Sequence, residues 1–430
     1  MSPDDTDIDS WLQRLEMLHP KAVDLGLERI GLVLERLGLT EPGFKVITVA
    51  GTNGKGSTVA MLESALRGAG RSVAALTSPH LWRFNERVRI DGRMASDAEL
   101  ISWFEAVELA RDSKALTFFE FTTAAALLGF HRSDIEVGVL EVGLGGRLDA
   151  VNAIDPDVAI VTSVDLDHQN WLGDTRDRIG YEKAGIFRPG KPAIVGDPDP
   201  PATVAAHAEA IGATLYRYGP DFRIERRAEG LDFFGMATRR AALPDTALTG
   251  NVEGRNLACV LAALECMGED MLPDSSALSA ALGGLQVPGR FQRLLVDGVE
   301  WILDVAHNPA AAANFARQLA SEPRRRTHAL IGMMEDKDSV GVARALAERV
   351  DCWTAIPIDR PRGQDAETLA ARLREGGARD VRTAESVETA VVRLGAAAAK
   401  DERVVVLGSF YVVAPVAEAL GLYCAAPAQR

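Results

Sequence analysis

Cysteine is scarce. Four occur in 430 residues, Cys259, Cys266, Cys352 and Cys424, and their spacing matches neither a metal knuckle nor a redox pair. That excludes a disulfide framework or a cysteine-built zinc site and leaves buried thiols in a reducing cytoplasm as the expectation. Basic residues are outnumbered, 47 Lys and Arg against 61 Asp and Glu, for a net charge of -14. A general nucleic-acid-binding face is therefore excluded, although a local pocket can oppose the global sign and take an anionic substrate. No apolar run approaches the roughly 20 residues of a membrane span. The opening "MSPDDTDIDSWL" is acidic and lacks the basic and apolar regions of a signal peptide. No short-period repeat is present. The expectation is a cytoplasmic α/β protein without nucleic-acid or membrane partners.

What is present is an ordinary globular profile, 47% hydrophobic and 25% charged. At about 100–200 residues per domain, the length implies two or three domains. Apolar runs at Lys45–Ala50, Ser72–Thr77, Val137–Val142, Val158–Val164 and Pro192–Gly196 predict strands. Helical patterns at Ser57–Gly68, Asp97–Arg111, Thr122–Arg132 and Asp177–Phe187 alternate with them, which builds a mostly parallel sheet covered on both faces. "RVRIDGR", Arg87 to Arg93, has Asp-Gly turn chemistry and predicts a hairpin. Residues 213 to 250 hold short alternating pieces and predict an antiparallel edge, followed by a helix at Asn251–Met267. "GGLQVPGRFQ", Gly283 to Gln292, reads as a linker. Beyond it the alternation restarts, with Pro309 at a first helical position, so a second, smaller α/β domain with its own parallel sheet is expected over 289–430, after a first domain over 1–288.

The chemistry begins at "AGTNGKGST", residues 50 to 58. It lies between the strand "KVITV" and a helix, the context of a phosphate loop. It is not a Walker sequence, because Gly56 separates Lys55 from Ser57 and Thr58 and Val49 stands where the first glycine belongs. Lys55 can counter phosphate charge while the glycines let backbone N–H groups approach oxygen. Ser57 and Thr58 either cap the helix or reach a metal.

Other polar groups cluster at strand ends. Glu141 closes the strand before "VGLGGRLDA"; there it either faces a ligand crevice or is a solvated strand-end acid. Asp167 and His168 follow the next strand in "VDLDHQNWLG", serving a metal, a nucleotide or a loop hydrogen bond. Lys183 in "GYEKAGIF" is on a helix, where lysines are usually solvated. Asp304 and His307 stand in "LDVAHNP", and Arg290 lies in the linker.

The succession GTNGKGS, SPH, EVGLGGRLDA, DH…WLG, EKAGI, PGRF and DVAHNP resembles the folylpolyglutamate synthase family. It is most similar to the bacterial bifunctional members that also have dihydrofolate synthase activity, within the Mur-ligase-like ATP-dependent amide-forming enzymes. The resemblance runs from about Asp24 to Phe410. It explains the loop: the Mur-ligase phosphate loop reads G-T-N-G-K, and the folate branch carries the extra glycine.

The resemblance implies an ATP-dependent ligase joining L-glutamate to dihydropteroate and to tetrahydrofolate through an acyl phosphate. It implies that Thr52, Asn53, Gly54, Lys55, Gly56 and Ser57 hold the ATP phosphates, that Asn256 and Arg290 contact the nucleotide, that Asp304 and His307 bring polar groups to the ribose and γ-phosphate, and that Lys55, Lys183, Asp304 and His307 are the catalytic residues. Two Mg²⁺ sites are implied, one near Ser57, Ser78 and Glu141, the other at His168 and Lys183, the lysine being carbamylated into an anionic ligand. Ala22, Val23, Asp24 and Leu25, Thr117, Phe118, Phe119 and Glu120, and Leu148, Asp149 and Ala150 match pterin-holding segments. Phe119 either stacks on the pterin or packs with Phe118 and Phe121. A monomer is expected, the length supplying enough core. The rival readings are a monofunctional folylpolyglutamate synthase and a nucleotide-dependent binding protein that makes no bond.

Overall fold

Continuous apolar runs set the first sheet. The strands are β1 (Lys45–Ala50), β2 (Val73–Leu76), β3 (Val88–Ile90), β4 (Arg93–Met94), β5 (Val137–Glu141), β6 (Val158–Val161), β7 (Pro192–Val195) and β8 (Thr214–Arg217). Their order is β4-β3-β2-β5-β1-β6-β7-β8, parallel throughout except at the β2–β3 and β3–β4 pairings. The inner strands β1, β5 and β6 are buried almost throughout, because helices cover both faces of a parallel sheet. The computed structural model describes residues 7–21, 23–228, 230–243 and 251–422. Ala22 and Cys424 lie outside them.

The described residues form two compact units, one holding those up to Leu243 together with Asn251–Leu285, the other beginning at Gln286. The first unit also contains a three-stranded antiparallel sheet, β9 (Arg223–Arg227), β10 (Gly230–Phe234) and β11 (Arg239–Leu243). The second carries β12 (Gln292–Val296), β13 (Val299–Leu303), β14 (Thr327–Ile331), β15 (Cys352–Ala355), β16 (Val381–Thr383) and β17 (Arg403–Leu407), in the order β12-β13-β17-β14-β15-β16. Its core is built on Ile302, Ala329, Ile331, Trp353, Val405 and Leu407.

Several expectations need correction. The helix expected from Thr122 runs Phe118–Arg132: Thr117 is its N-cap and Glu120 completes a capping box, each binding the other's backbone N–H. "TLYR" is not antiparallel. It is β8, the parallel edge of the first sheet, paired with β7. The second sheet is not wholly parallel, since β12 pairs antiparallel with β13. The helices Ile8–Met17 and Glu28–Leu37 have no counterpart among the sequence expectations. Among the described cysteines, Cys259 is buried, and Cys266 and Cys352 are partly so.

Candidate active site

The phosphate loop follows β1 and is clamped to the end of β6. Gly51 lies so close to Thr162 that a Cβ would fall 1.8 Å from its Oγ1. Thr52 N–H donates to the Ser163 carbonyl at 2.8 Å, and Thr52 Oγ1 accepts from Asp165 N at 2.9 Å. Asn53 N–H donates to Ser163 Oγ at 3.1 Å, and Thr162 Oγ1 donates to the Asn53 carbonyl at 2.7 Å. Sequence reasoning missed Thr162, Ser163 and Asp165; short polar residues after a strand are common, and only their distance to the loop distinguishes these three.

Gly54, at φ 87°, is the N-cap of the helix Lys55–Gly68. Ser57 therefore does not cap it. Ser57 lies within the first turn and is buried, and Thr58 Oγ1 donates back to the Gly54 carbonyl at 2.9 Å. Lys55 Nζ donates to the Gly51 carbonyl at 3.1 Å. Buried Asn256, on the helix Asn251–Met267, covers Gly54: a Cβ there would sit 2.9 Å from its amide nitrogen and oxygen. Asn256 Nδ2 donates to Glu253 Oε2 at 2.9 Å.

Glu141 is buried at the end of β5. Its Oε2 accepts from Ser78 N–H at 3.1 Å and lies 3.7 Å from where a Gly56 Cβ would be. Ser78, Glu141 and the loop are thus together. Among the described residues no three His, Cys, Asp or Glu side chains converge as a metal cluster. One carboxylate beside hydroxyls and a phosphate loop suits Mg²⁺, which takes few protein carboxylates, keeps waters and shares substrate phosphates.

Lys183 is not solvated. It is buried on the helix Arg176–Ala184. Burial first, and the Lys55 charge second, lower its pKa to about 7, against the pull of Asp167 and Asp149. Buried Asp149 is pushed up to about 7 by desolvation, opposed by backbone N–H donors and by Lys55. His168, by contrast, is exposed, with φ 50° ahead of a single helical turn, and its N–H donates to Asp167 Oδ1 at 2.8 Å.

The segments expected to hold the pterin meet. Gly26 N–H donates to the Leu148 carbonyl at 3.3 Å. Asp24 and buried Glu120 share Arg29, whose Nη1 lies 2.7 Å from Asp24 Oδ2 and whose Nε lies 3.1 Å from Glu120 Oε1. Phe119 lies over Gly143, where a Cβ would be 2.9 Å from its ring and 3.3 Å from Asp149 Oδ2. Phe121 packs instead with Trp11 and Phe104, and Phe118 with Phe84. Val23, Leu25 and Leu148 are half-buried, and Ala150 is buried. Burial and the Arg87 charge lower the His80 pKa to about 4.

In the second unit both Asp304 oxygens are engaged, Oδ2 by Phe291 N–H and Oδ1 by Ala306 N–H, each at 2.8 Å. Burial raises its pKa against the opposing Arg290 charge. Arg290 stacks on Phe410 at 5.6 Å. His307 Nδ1 lies 2.9 Å from the Val305 carbonyl oxygen, so Nδ1 carries the proton.

Residues 49–264 match the Mur ligase middle domain, and residues 289–410 match the Mur ligase glutamate ligase domain. The chain is 43% identical to the dihydrofolate synthase/folylpolyglutamate synthase of Escherichia coli K12, over 96% of this chain and 95% of that protein. It belongs to the dihydrofolate synthase/folylpolyglutamate synthase family of Mur ligases. The Haemophilus influenzae member is 37% identical over 94% of this chain and 95% of its own. Two solved members of the family superpose closely. The E. coli FolC complex with DHPP and ADP has a TM-score of 0.91 at 42% identity, covering 97% of this chain and 98% of that one. The Yersinia pestis bifunctional enzyme complexed with AMPPNP and Mn ion has a TM-score of 0.90 at 42% identity, covering 97% and 99%. The ligase fold of this family, an N-terminal ATPase domain with a mostly parallel sheet and a smaller C-terminal α/β domain, is the fold of this chain.

Proposed function

We propose that this chain is an ATP-dependent ligase that adds L-glutamate to dihydropteroate, giving dihydrofolate, and to tetrahydrofolate, extending a γ-glutamyl chain. The observation that carries the reading is the meeting of Asp24–Gly26, Phe119 and Leu148–Asp149 in the same unit as the clamped Gly51–Ser57 loop. A carboxylate oxygen is a poor leaving group. The acid first takes the γ-phosphoryl group of ATP, giving an acyl phosphate and ADP; the glutamate amine then attacks, the amide forms, phosphate leaves and the amine loses a proton. Both steps concentrate negative charge, so the protein's tasks are charge compensation and alignment.

Lys55 and the N–H groups of Gly54 to Ser57 hold the phosphates, the Thr52 and Asn53 N–H groups being engaged by Ser163, and Asn256 supports the loop at Gly54. Ser57, Ser78 and Glu141 would hold one Mg²⁺, and His168 with Lys183 a second; the ions would supply neutralisation of phosphate charge and orientation of the transferred group. Burial of Lys183, and the neutral amine that a pKa near 7 provides, favour reaction with CO₂; the amine gives a carbamate and a proton, and a buried cation becomes an anionic oxygen donor. Arg290, Asp304 and His307 act on the nucleotide from the glutamate ligase domain. Phe119 stacks on the pterin, and Asp24, Asp149 and Glu120 fix its edges, directly or through Arg29.

The acidic sequence and modest cysteine content fit a cytoplasmic enzyme, and the two cores fit a monomer. Among the described residues no helix is long and apolar enough to cross a membrane. Mass analysis of products from dihydropteroate and from tetrahydrofolate, each with ATP and glutamate, tests the reading. Extension of tetrahydrofolate alone would make the enzyme monofunctional.

A further inference from the structure

Donors hold the carbonyls along the phosphate loop. The Ala50 carbonyl accepts from Thr162 N–H at 2.9 Å, the Gly51 carbonyl from Lys55 Nζ at 3.1 Å and the Gly54 carbonyl from Thr58 N–H at 2.9 Å. The Asn53 carbonyl takes two hydroxyls, Thr162 Oγ1 at 2.7 Å and Ser163 Oγ at 3.1 Å. Ser163 Oγ also accepts from Asn53 N–H at 3.1 Å. Thr162 Oγ1 lies 3.2 Å from the Ala50 carbonyl oxygen as well, but the Thr162 N–H already occupies that acceptor, so the single hydroxyl proton goes to Asn53. Thr162 is buried and has no room to shift. A Cβ on Gly51 would fall 1.8 Å from its Oγ1, and one on Gly196, just past β7, would fall 3.0 Å from its carbonyl oxygen and 2.5 Å from Cys259 Sγ.

A trans peptide points its C=O and its N–H in opposite directions. Holding the Asn53 carbonyl on Thr162 and Ser163 therefore turns the Gly54 N–H away from them. A carbonyl oxygen facing a triphosphate adds negative charge where the site must remove it, whereas an N–H there donates a charge-assisted bond. Gly54 holds φ 87°, and glycine admits either orientation of the peptide before it, so the choice falls to the groups that bind the carbonyl. We infer that Thr162 and Ser163 are positioning residues for the nucleotide: their hydroxyls fix the Asn53–Gly54 peptide with its N–H, and not its carbonyl, toward the phosphates. Both act through the loop without touching the ligand. This inference rests on the phosphate-loop part of the proposed ligase reading.

The test is calorimetry of a non-hydrolysable ATP analogue with Mg²⁺ on the full chain. Thr162→Val keeps the branched shape without the donor, and Thr162→Ser keeps the donor. Thr162→Val is expected to weaken analogue binding about tenfold, the loss of one hydrogen bond to a phosphate, and Thr162→Ser to stay within about threefold of wild type. Dihydropteroate affinity, measured the same way, is expected to stay within about twofold in both. Unchanged analogue affinity in Thr162→Val, or equal losses in the two variants, would overturn the role. So would a parallel loss of dihydropteroate affinity, which marks a loosened unit and not a misaligned peptide. Should Thr162→Val fail to fold, Ser163→Ala decides in the same titration, because it removes both Ser163 Oγ contacts to Asn53; unchanged affinity there overturns the inference. Binding needs no amide synthesis, so the two failures separate. Wild-type protein that binds the analogue and makes no amide counts against the ligase reading alone, and wild-type protein that does not bind it overturns both.

Discussion

The side-chain amide of Asn256 sits over Gly54, so that a Cβ on this glycine would lie 2.9 Å from both its nitrogen and its oxygen. Gly54 also holds φ 87° at the helix start, a conformation costing roughly 1–2 kcal/mol with a side chain. Gly54→Ala should weaken ATP binding at least about tenfold while the rest of the first unit stays folded. Calorimetry with a non-hydrolysable ATP analogue, beside circular dichroism, checks it. Unchanged affinity would remove the loop from the nucleotide site.

Lys55→Ala should cut amide synthesis at least about 100-fold, or roughly 2.7 kcal/mol at the transition state. The Lys55 ammonium makes a bond to the Gly51 carbonyl within its own loop, so the fold should be little changed. Near-normal turnover would refute its role at the phosphates.

Chelation should abolish turnover, and Mg²⁺ or Mn²⁺ should restore it. Glu141→Gln should raise the Mg²⁺ concentration for half-maximal rate at least about tenfold, because the carboxylate beside Ser78 N–H and Gly56 would no longer carry charge. An unchanged metal requirement would place the first site elsewhere.

Lys183 predicts a signed pH effect in metal-free, CO₂-free protein. Its pKa falls from 10.5 to about 7 on folding. Between those values the unfolded chain binds more protons, so this group's contribution makes stability rise with pH across that window, and its penalty is full below it. Lys183→Met should therefore melt above wild type by at least about 2 °C at pH 6, with the gap narrowing by pH 9. A constant gap would contradict the burial argument. With ¹³C-labelled bicarbonate and metal, wild type should show a carbamate resonance that the variant lacks.

His307 belongs to the second unit, whereas Asp24, Phe119 and Asp149 belong to the first. His307→Ala should lower kcat at least about 100-fold and leave dihydropteroate affinity largely intact. Calorimetry beside steady-state rates separates the two, and an equal loss of both would move His307 into the pterin pocket.

Strands and phosphate loop were legible because long apolar runs and a glycine-rich turn are local signals. The expected β1 has the observed bounds, Lys45–Ala50. The start at Phe118 was obscured because "TFFEF" looks like an aromatic run, although Thr117 and Glu120 are spaced as a capping box. "TLYR" misled because short alternation does not reveal whether a strand's neighbour is a hairpin partner or, as here, β7 across a crossover helix. Glu141, Lys183 and Asp304 could be suspected individually from strand ends and the family resemblance. The contacts of Gly51 with Thr162 and of Gly54 with Asn256 could not, since chain-distant residues meet only in the folded core.

The most direct test is product mass from purified protein given dihydropteroate, ATP, Mg²⁺ and L-glutamate. The account predicts dihydrofolate, with one ADP and one phosphate released per amide and none of either without the acid. ATP hydrolysis without an amide product, or no reaction with dihydropteroate while tetrahydrofolate is extended, would contradict it.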